Sequence, residues 1–331
     1  MFRPLTCGFL LAFALSPTSA APQQVFRGRG EAVRVFTTVT DRDGHLVTTL
    51  TKDDFDVRDD GKTQPITEFD NTPQPIRIIV LLDTSGSMAG NLELVRAASQ
   101  QLITRLRPDD QARIGTFGQD VAIGEEFTHD TRELLEAIPE RIPPDAPTPL
   151  WRAVDEAMSK FDTKSDIRRV VLVLTDGKDS GFTDLRHRPS SEADVIDRAR
   201  EDDVMIYGVG MRSRFAPGRQ PMPGLGPGGL EAALTEDLPD PGLAKVADET
   251  GGGYTEIRYG EDLAAAFEHV ADELHTQYLL GYTPPKHDGK VHKVEVRVNQ
   301  KGLKARARKT YVAPKESRPS AGMLAKRGRL R

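Results

Sequence analysis

The chain has 331 residues, a formal net charge of −5 and a single cysteine. That length suits about two domains. A net charge this small and acidic argues against a nucleic-acid partner, which calls for concentrated positive charge.

The N-terminal stretch MFRPLTCGFLLAFALSPTSA carries one Arg, a short apolar run and small residues at Thr18 and Ala20. This is the pattern of a secretory signal peptide, residues 1–20, cleaved after Ala20. The apolar run is too short to span a bilayer. Cys7 lies inside it, and the preceding Pro4-Leu5-Thr6 does not suit a lipoprotein site. The mature chain is therefore expected to be exported to the periplasm, cell surface or medium. It should carry no disulfide and no membrane span, and should rely on core burial for stability.

Residues 27–73 read as a β-rich segment. EAVRVFTTVTD alternates through Val33, Val35, Thr37 and Val39, the signal of a half-buried strand. A turn at Asp41–Gly44, a strand at Phe55–Val57, a turn at Asp59-Asp60-Gly61 and a strand at Ile66–Phe69 follow, and Pro73 and Pro75 mark a boundary.

From about residue 75 to 275 strands and helices alternate, which predicts a parallel sheet wrapped by helices. Strand Ile76–Leu82 precedes a helix marked by Leu92, Val95, Leu102, Ile103 and Leu106. ARIGTFG and VAIGEEF form a strand pair, and a helix covers Thr131–Ile138. Trp151, Val154, Ala157, Met158 and Phe161 mark another helix, with Trp151 as a core anchor. Strand Val170–Leu174, helix Glu192–Arg200 and strand Val204–Val209 come next. Helix Gly242–Thr250, strand Gly253–Ile257 and helix Asp262–Leu274 complete the unit.

The segment Met211–Pro241 is rich in Pro and Gly and longer than an ordinary connection. It follows a strand ending on the same sheet edge as Asp83, so it is a candidate partner-binding loop bordering that edge. The alternative is an insertion without a role. Residues 276–314 return to strand patterns: QYLLGYTPP, HKVEVRVN, and one further strand in KARARKTYVAP. With 27–73 they are expected to build one sandwich-like flanking domain. The basic residues 315–331 read as a solvated, disordered tail.

The chemistry concentrates at IIVLLDTSGSM, residues 78–88. An apolar run suited to a strand buried on both faces ends in Asp83, followed by Ser85 and Ser87. Open α/β sheets bind ligands at that carboxyl edge. A second run, VVLVLTDGKD, ends in Asp176, and Thr148 precedes the Trp151 helix. One reading of these residues is a cap on the following helix, since Asp and Ser favour that position. Capping would leave Thr148 and Asp176 unexplained. An aspartic-protease triplet is excluded by Ser85 in place of Gly, and neither a nucleophile elbow nor a P-loop is spelled here. The set is all oxygen, which suits a hard divalent cation.

Asp-x-Ser-x-Ser, a later Thr and an Asp after a buried strand resemble the metal-ion-dependent adhesion site of von Willebrand factor A domains. Asp83, Ser85, Ser87, Thr148 and Asp176 match that pattern in order. The one departure is Ala146-Pro147, where many members carry glycines, which makes a stiffer loop. LGYTPP and TYVAP further resemble bacterial secreted VWFA-related proteins. The resemblance implies a Rossmann-like, doubly wound, mainly parallel α/β sheet with the flanking β-rich domain. It implies Mg²⁺, with Mn²⁺ or Ca²⁺ as alternatives, bound directly by Ser85 and Ser87 and directly or through water by Thr148 and the aspartates.

The expected function is then a secreted adhesion module, not an enzyme. Its partner is a protein or matrix ligand whose Asp or Glu completes the metal shell. Two other readings are a metal-stabilised scaffold in an envelope complex and a metal-assisted hydrolase. Hydrolysis would need a general base. His129, His187 and His269 fall in no catalytic pattern, and Asp179 reads as a solvated or outer acid.

Overall fold

The structure, a computed structural model, describes residues 32–143, 145–163, 165–180, 189–212, 239–258 and 262–315. The expected signal peptide with Cys7, His187, the tail beyond Lys315 and residues 213–238 of the candidate loop lie outside the described residues.

In chain order the strands are β1 (Val33–Thr40), β2 (Phe55–Asp59), β3 (Lys62–Gln64), β4 (Ile66–Asp70), β5 (Ile76–Asp83), β6 (Gln111–Phe117) and β7 (Val121–Ile123). They continue with β8 (Arg168–Thr175), β9 (Val204–Met211), β10 (Tyr254–Ile257), β11 (Tyr278–Tyr282), β12 (Val291–Val298), β13 (Lys304–Arg306) and β14 (Thr310–Val312). The helices are α1 (Leu92–Arg105), α2 (Thr131–Glu136), α3 (Leu150–Met158), α4 (Glu192–Glu201), α5 (Pro241–Thr250) and α6 (Leu263–Thr276).

The central sheet has six strands in the order β10-β9-β8-β5-β6-β7. All neighbours run parallel except β7, which pairs antiparallel with β6. Every residue of β8 and β9 is buried, and the apolar run Val170–Leu174 in β8 is what a strand covered on both faces demands. On one face Ile78, Val80, Leu82, Leu172 and Leu174 pack with Leu102 of α1 and Phe267 of α6. On the other, Ile79, Leu81 and Val173 pack with Trp151 and Val154 of α3, Val195 of α4 and Leu243 of α5. Each fully buried side chain of this size contributes about 1.5–3 kcal/mol of transfer free energy.

The strands before and after this unit combine in two further sheets, β13-β1-β11-β4 and β14-β12-β2-β3, all of whose pairs are antiparallel. Val35, Phe55, Val57, Tyr278, Leu280, Tyr282 and Tyr311 fill the space between them. β2 and β3 are joined by Asp60-Gly61, both at positive φ (47° and 82°), the conformation a two-residue hairpin turn demands. The central unit leaves this sandwich after β4 and re-enters at β11, and those strands are antiparallel neighbours with Leu279 opposite Asp70.

KARARKTYVAP, expected as one strand, is two strands in different sheets, β13 beside β1 and β14 beside β12. The crossing is fixed from outside the segment. The Lys309 amide donates to the Glu249 carbonyl in α5 (3.1 Å), and its carbonyl accepts from the Val294 amide (2.9 Å). Gly251, left-handed at φ +85°, makes room, since a Cβ there would fall 2.4 Å from the Arg308 amide nitrogen.

Candidate metal centre

Asp83 is the last residue of β5, level with Phe117 of β6, while Leu82 lies opposite Leu174 of β8. The parallel register therefore brings Asp83 and the Thr175-Asp176 pair out side by side at the carboxyl edge. Both aspartates are buried, at 1% and 0% exposure.

Asp83 Oδ1 accepts the Ser85 amide at 2.7 Å, folding the chain back on the carboxylate, and its Oδ2 accepts the Thr175 hydroxyl at 2.5 Å. The Ser85 and Ser87 hydroxyls lie 3.1 Å apart, and Ser87 Oγ donates to Asp176 Oδ1 at 2.7 Å. A continuous polar chain thus links Asp83, Ser85, Ser87 and Asp176. Ser85 is buried and Ser87 is exposed, so the group opens to solvent on the Ser87 side.

Thr148 enters from the loop before α3. Its amide donates to Ser180 Oγ (2.6 Å) and its carbonyl accepts the Ser180 amide (2.9 Å), which staples it to the turn after Asp176. A Cβ on Gly177 would lie 3.1 Å from Thr148 Oγ1, so the threonine hydroxyl sits directly over that glycine. The Ala146 carbonyl accepts the Gly86 amide at 3.2 Å. The Ala146-Pro147 loop, free of glycine, therefore still reaches across to the Ser85–Ser87 turn. All five residues singled out from the sequence are brought to one edge.

Burial raises the Asp83 carboxyl above its ordinary range. Asp176 is pushed up to about 6, chiefly by burial, with the nearby Asp83 charge adding to it and the Ser87 hydrogen bond opposing. Two acids that resist ionisation in each other's company favour a cation between them. The donor set fits a hard divalent ion: carboxylate and hydroxyl oxygens, with no sulfur or nitrogen.

The helix-cap reading does not hold for the serines. Ser85 precedes a 3-10 turn, Gly86–Asn91, without a side-chain capping bond, and α1 begins only at Leu92. Asp179 Oδ1 accepts the Trp151 amide at 3.3 Å, so this half-buried acid braces the start of α3. Trp151 itself is 6% exposed and belongs to the core. His129 is exposed next to Thr128, which bridges Ala112 at the start of β6, the sheet edge opposite Asp83. His269 is exposed on α6.

The sequence reading missed several supports. Thr175, one residue before Asp176, holds Asp83 Oδ2. Asp240 receives the Asp179 amide at Oδ2 (3.0 Å) and the Gly242 amide at Oδ1 (2.8 Å), while its own amide donates to the Gly177 carbonyl (3.3 Å). The signal for Asp240 was local: Asp-Pro-Gly at a helix start is a capping pattern. Its consequence is that the chain returns from the Met211–Pro241 segment directly beside the turn after Asp176.

Residues 78–223 match the family profile described as the von Willebrand factor type A domain. Among solved structures, a von Willebrand factor type A protein from Catenulispora acidiphila is 13% identical with a TM-score of 0.47, over 88% of this chain and 76% of that one. BatB from Bacteroides thetaiotaomicron is 18% identical with a TM-score of 0.43, over 60% of this chain and 97% of that one. Proximal thread matrix protein 1 from the mussel byssus, with a zinc-occupied MIDAS motif, is 16% identical with a TM-score of 0.44, over 65% of this chain and 49% of that one. No curated protein matches the chain.

Proposed function

We propose, from the match of residues 78–223 to the von Willebrand factor type A domain profile, that this protein is an exported binding module. It captures a protein partner through a divalent cation, Mg²⁺ by preference, held by Asp83, Ser85, Ser87, Thr148 and Asp176. The observation that carries the reading is the hydrogen-bonded chain from Asp83 through Ser85 and Ser87 to Asp176, two buried carboxylates joined across an exposed serine. A cation bound there would face solvent on the Ser87 side, where an Asp or Glu of a partner can supply a further oxygen. With few charged ligands the ion would stay electron-poor and receptive to that acid.

Binding without turnover is favoured by the surroundings. Asp179 is engaged with α3, and His129 lies toward the opposite edge of the sheet. The Met211–Pro241 segment returns at Asp240 next to the site, which supports a role in choosing the partner. Among the described residues no helix is long and apolar enough to cross a membrane.

The test is calorimetric titration of the full chain with Mg²⁺ and Mn²⁺ beside Asp83→Ala. Capture from envelope extract with and without EDTA follows, using Thr148→Ala as the second variant. One-site Mg²⁺ binding lost in Asp83→Ala, with EDTA-sensitive capture of a partner lost in both variants, is expected. Capture that survives EDTA and both substitutions would sink the adhesion reading. A metal that raises Tm but leaves capture unchanged would make the site a structural one.

A further inference from the structure

A second group of donors lies in the sandwich, far along the chain from the first. His292 of β12 is buried between Asp59 at the end of β2 and Asp60 of the hairpin turn. His292 Nδ1 is 3.0 Å from Asp60 Oδ2 and 3.4 Å from Asp59 Oδ1. The histidine side chain is 2% exposed and that of Asp59 0%. Yet neither His292 Nδ1 nor Asp59 Oδ1 makes a hydrogen bond. Nδ1 is within reach of both carboxylate oxygens but aligned for a hydrogen bond with neither. With Asp60 Oδ2, His292 Nδ1 and Asp59 Oδ1 form a group of three donor atoms, all within 4.8 Å of one another.

The two separations from Nδ1 suit corners around an ion. Ligands at about 2.0–2.2 Å from a zinc-sized cation are about 2.8–3.1 Å apart along the edge of an octahedron and about 3.3–3.6 Å along that of a tetrahedron. The remaining atoms are already satisfied in a way that prepares these three. Asp59 Oδ2 accepts the hydroxyls of Tyr282 (2.9 Å) and Tyr311 (2.5 Å), leaving Oδ1 to face inward. Asp60 Oδ1 accepts the Lys293 amide at 3.1 Å, leaving Oδ2. On the far side of the ring, His292 Nε2 lies 3.0 Å from Asp288 Oδ1. A ring N–H donated to a carboxylate is how ligating histidines are oriented and made more basic; with that proton on Nε2, Nδ1 would be the ligating atom. Nδ1 thus faces two carboxylate oxygens, a place that either a ring proton or a bound cation would fill. Lys286 Nζ, 3.5 Å from Asp60 Oδ2, is the neighbouring side-chain cation and reaches only the exposed oxygen.

We propose that His292, Asp59 and Asp60 form a second metal site, selective for a Zn²⁺-class transition ion through His292 Nδ1, Asp59 Oδ1 and Asp60 Oδ2. The nitrogen donor separates it from the all-oxygen group at Asp83, since imidazole suits zinc, cobalt and nickel where Mg²⁺ prefers oxygen. The site would tie the β2–β3 hairpin to β12. The comparable trio Asp41, Asp43 and His45 is largely exposed, with Asp41 Oδ1 accepting two amides and Oδ2 bonded to His45, and offers no such buried pair.

The experiment uses the full chain carrying Asp83→Ala, which removes the first site, titrated with Zn²⁺ by calorimetry and with Co²⁺ by visible absorption. Asp60 is exposed and left-handed, a conformation Asn tolerates, so Asp60→Asn retains the turn while removing a charged ligand. One Zn²⁺ per chain, a Co²⁺ d–d spectrum, and at least about tenfold weaker binding in Asp83→Ala/Asp60→Asn are expected, tenfold being the lower range for losing even an outer partner. The ring nitrogens of His292, followed by ¹⁵N NMR in the Asp83→Ala chain, should report ligation at Nδ1 without any change to the sandwich. No Zn²⁺ binding in that chain, binding indifferent to Asp60→Asn, or an Nδ1 that only takes up a proton would overturn the proposal. Failure of Mg²⁺ to bind the unaltered chain would bear on the Asp83 site alone.

Discussion

A methyl group added to Gly86 would fall 2.8 Å from the Asp145 backbone nitrogen. Since that loop delivers Thr148, Gly86→Ala must push Asp145–Thr148 away from the Ser85–Ser87 turn. Its expected effects are about 1–3 kcal/mol of lost stability, read by urea unfolding, and weakened Mg²⁺ affinity by calorimetry. Wild-type affinity in Gly86→Ala would show that Thr148 is not needed at the metal. At this scale Asp83, Ser85 and Ser87 were readable as candidate ligands because oxygen-bearing side chains alternating after an apolar run are a chemical pattern, while Thr148 and Asp176 joined them through the family resemblance. Thr175 and Asp240 were not readable as parts of the site. Each touches it through a partner distant in sequence: Thr175 through Asp83 and Asp240 through Gly177 and Asp179.

Among elements, β5 is anchored at its start as firmly as its end is functional. The Asp110 carboxylate accepts the amides of Ile76 (3.0 Å) and Arg107 (2.7 Å) and lies 2.8 Å from His275 Nε2 of α6. Burial alone would raise this carboxyl, but the His275 contact and the two amides outweigh it and hold it below the ordinary 3.8. A group lowered on folding stabilises above its unfolded pKa and loses that contribution as pH falls through the folded one. Asp110→Asn should therefore cost about 1–3 kcal/mol at pH 7. The gap from the unaltered chain should close below pH 3.8, measured by denaturant unfolding across pH. A gap independent of pH would assign the loss to shape and not to charge. In the middle of the sheet, Leu172 is fully buried, and Leu172→Ala should cost about 2–5 kcal/mol through transfer and cavity terms. Strands such as β8 were legible because burial on both faces forces an unbroken apolar run. The split between β13 and β14 was not, because Lys309 is turned by a carbonyl of α5 and by β12, not by its own neighbours.

For the whole molecule, a buried polar cluster bridges the seam between sandwich and central unit. Buried Glu273 of α6 accepts the hydroxyls of Thr38 (2.9 Å) and Tyr207 (2.5 Å) and is paired with Arg306. Gln277 adds bonds to the Thr38 hydroxyl (2.7 Å) and the Tyr207 hydroxyl (3.2 Å). These residues come from β1, β9, α6 with the Gln277 that ends it, and β13, so one carboxylate joins both units. Glu273→Ala would leave Arg306 without this carboxylate, and about 3–5 kcal/mol of destabilisation is expected. Calorimetry should then resolve two transitions, against the single one expected of the unaltered chain. A single transition at lower temperature would mean that the apolar contacts across the seam suffice to couple the units.

By itself the sequence determined most of the strands and helices, that the central sheet is mainly parallel, and that Asp83, Ser85 and Ser87 bring oxygen donors to the end of a buried strand. These follow from periodicity, side-chain polarity and spacing, which are local properties. It also pointed to terminal strands meeting in one sandwich, though not to their order. Only the tertiary structure decided which strands are neighbours, that the central unit leaves and returns through adjacent β4 and β11, and that His292 faces Asp59 and Asp60. Residues 59 and 292 meet because antiparallel pairing sets β2 against β12 in one register, Val294 opposite Asp59. That register is chosen by the packing of two sheets over a shared core, a free energy summed over the whole chain and written in no short stretch of it.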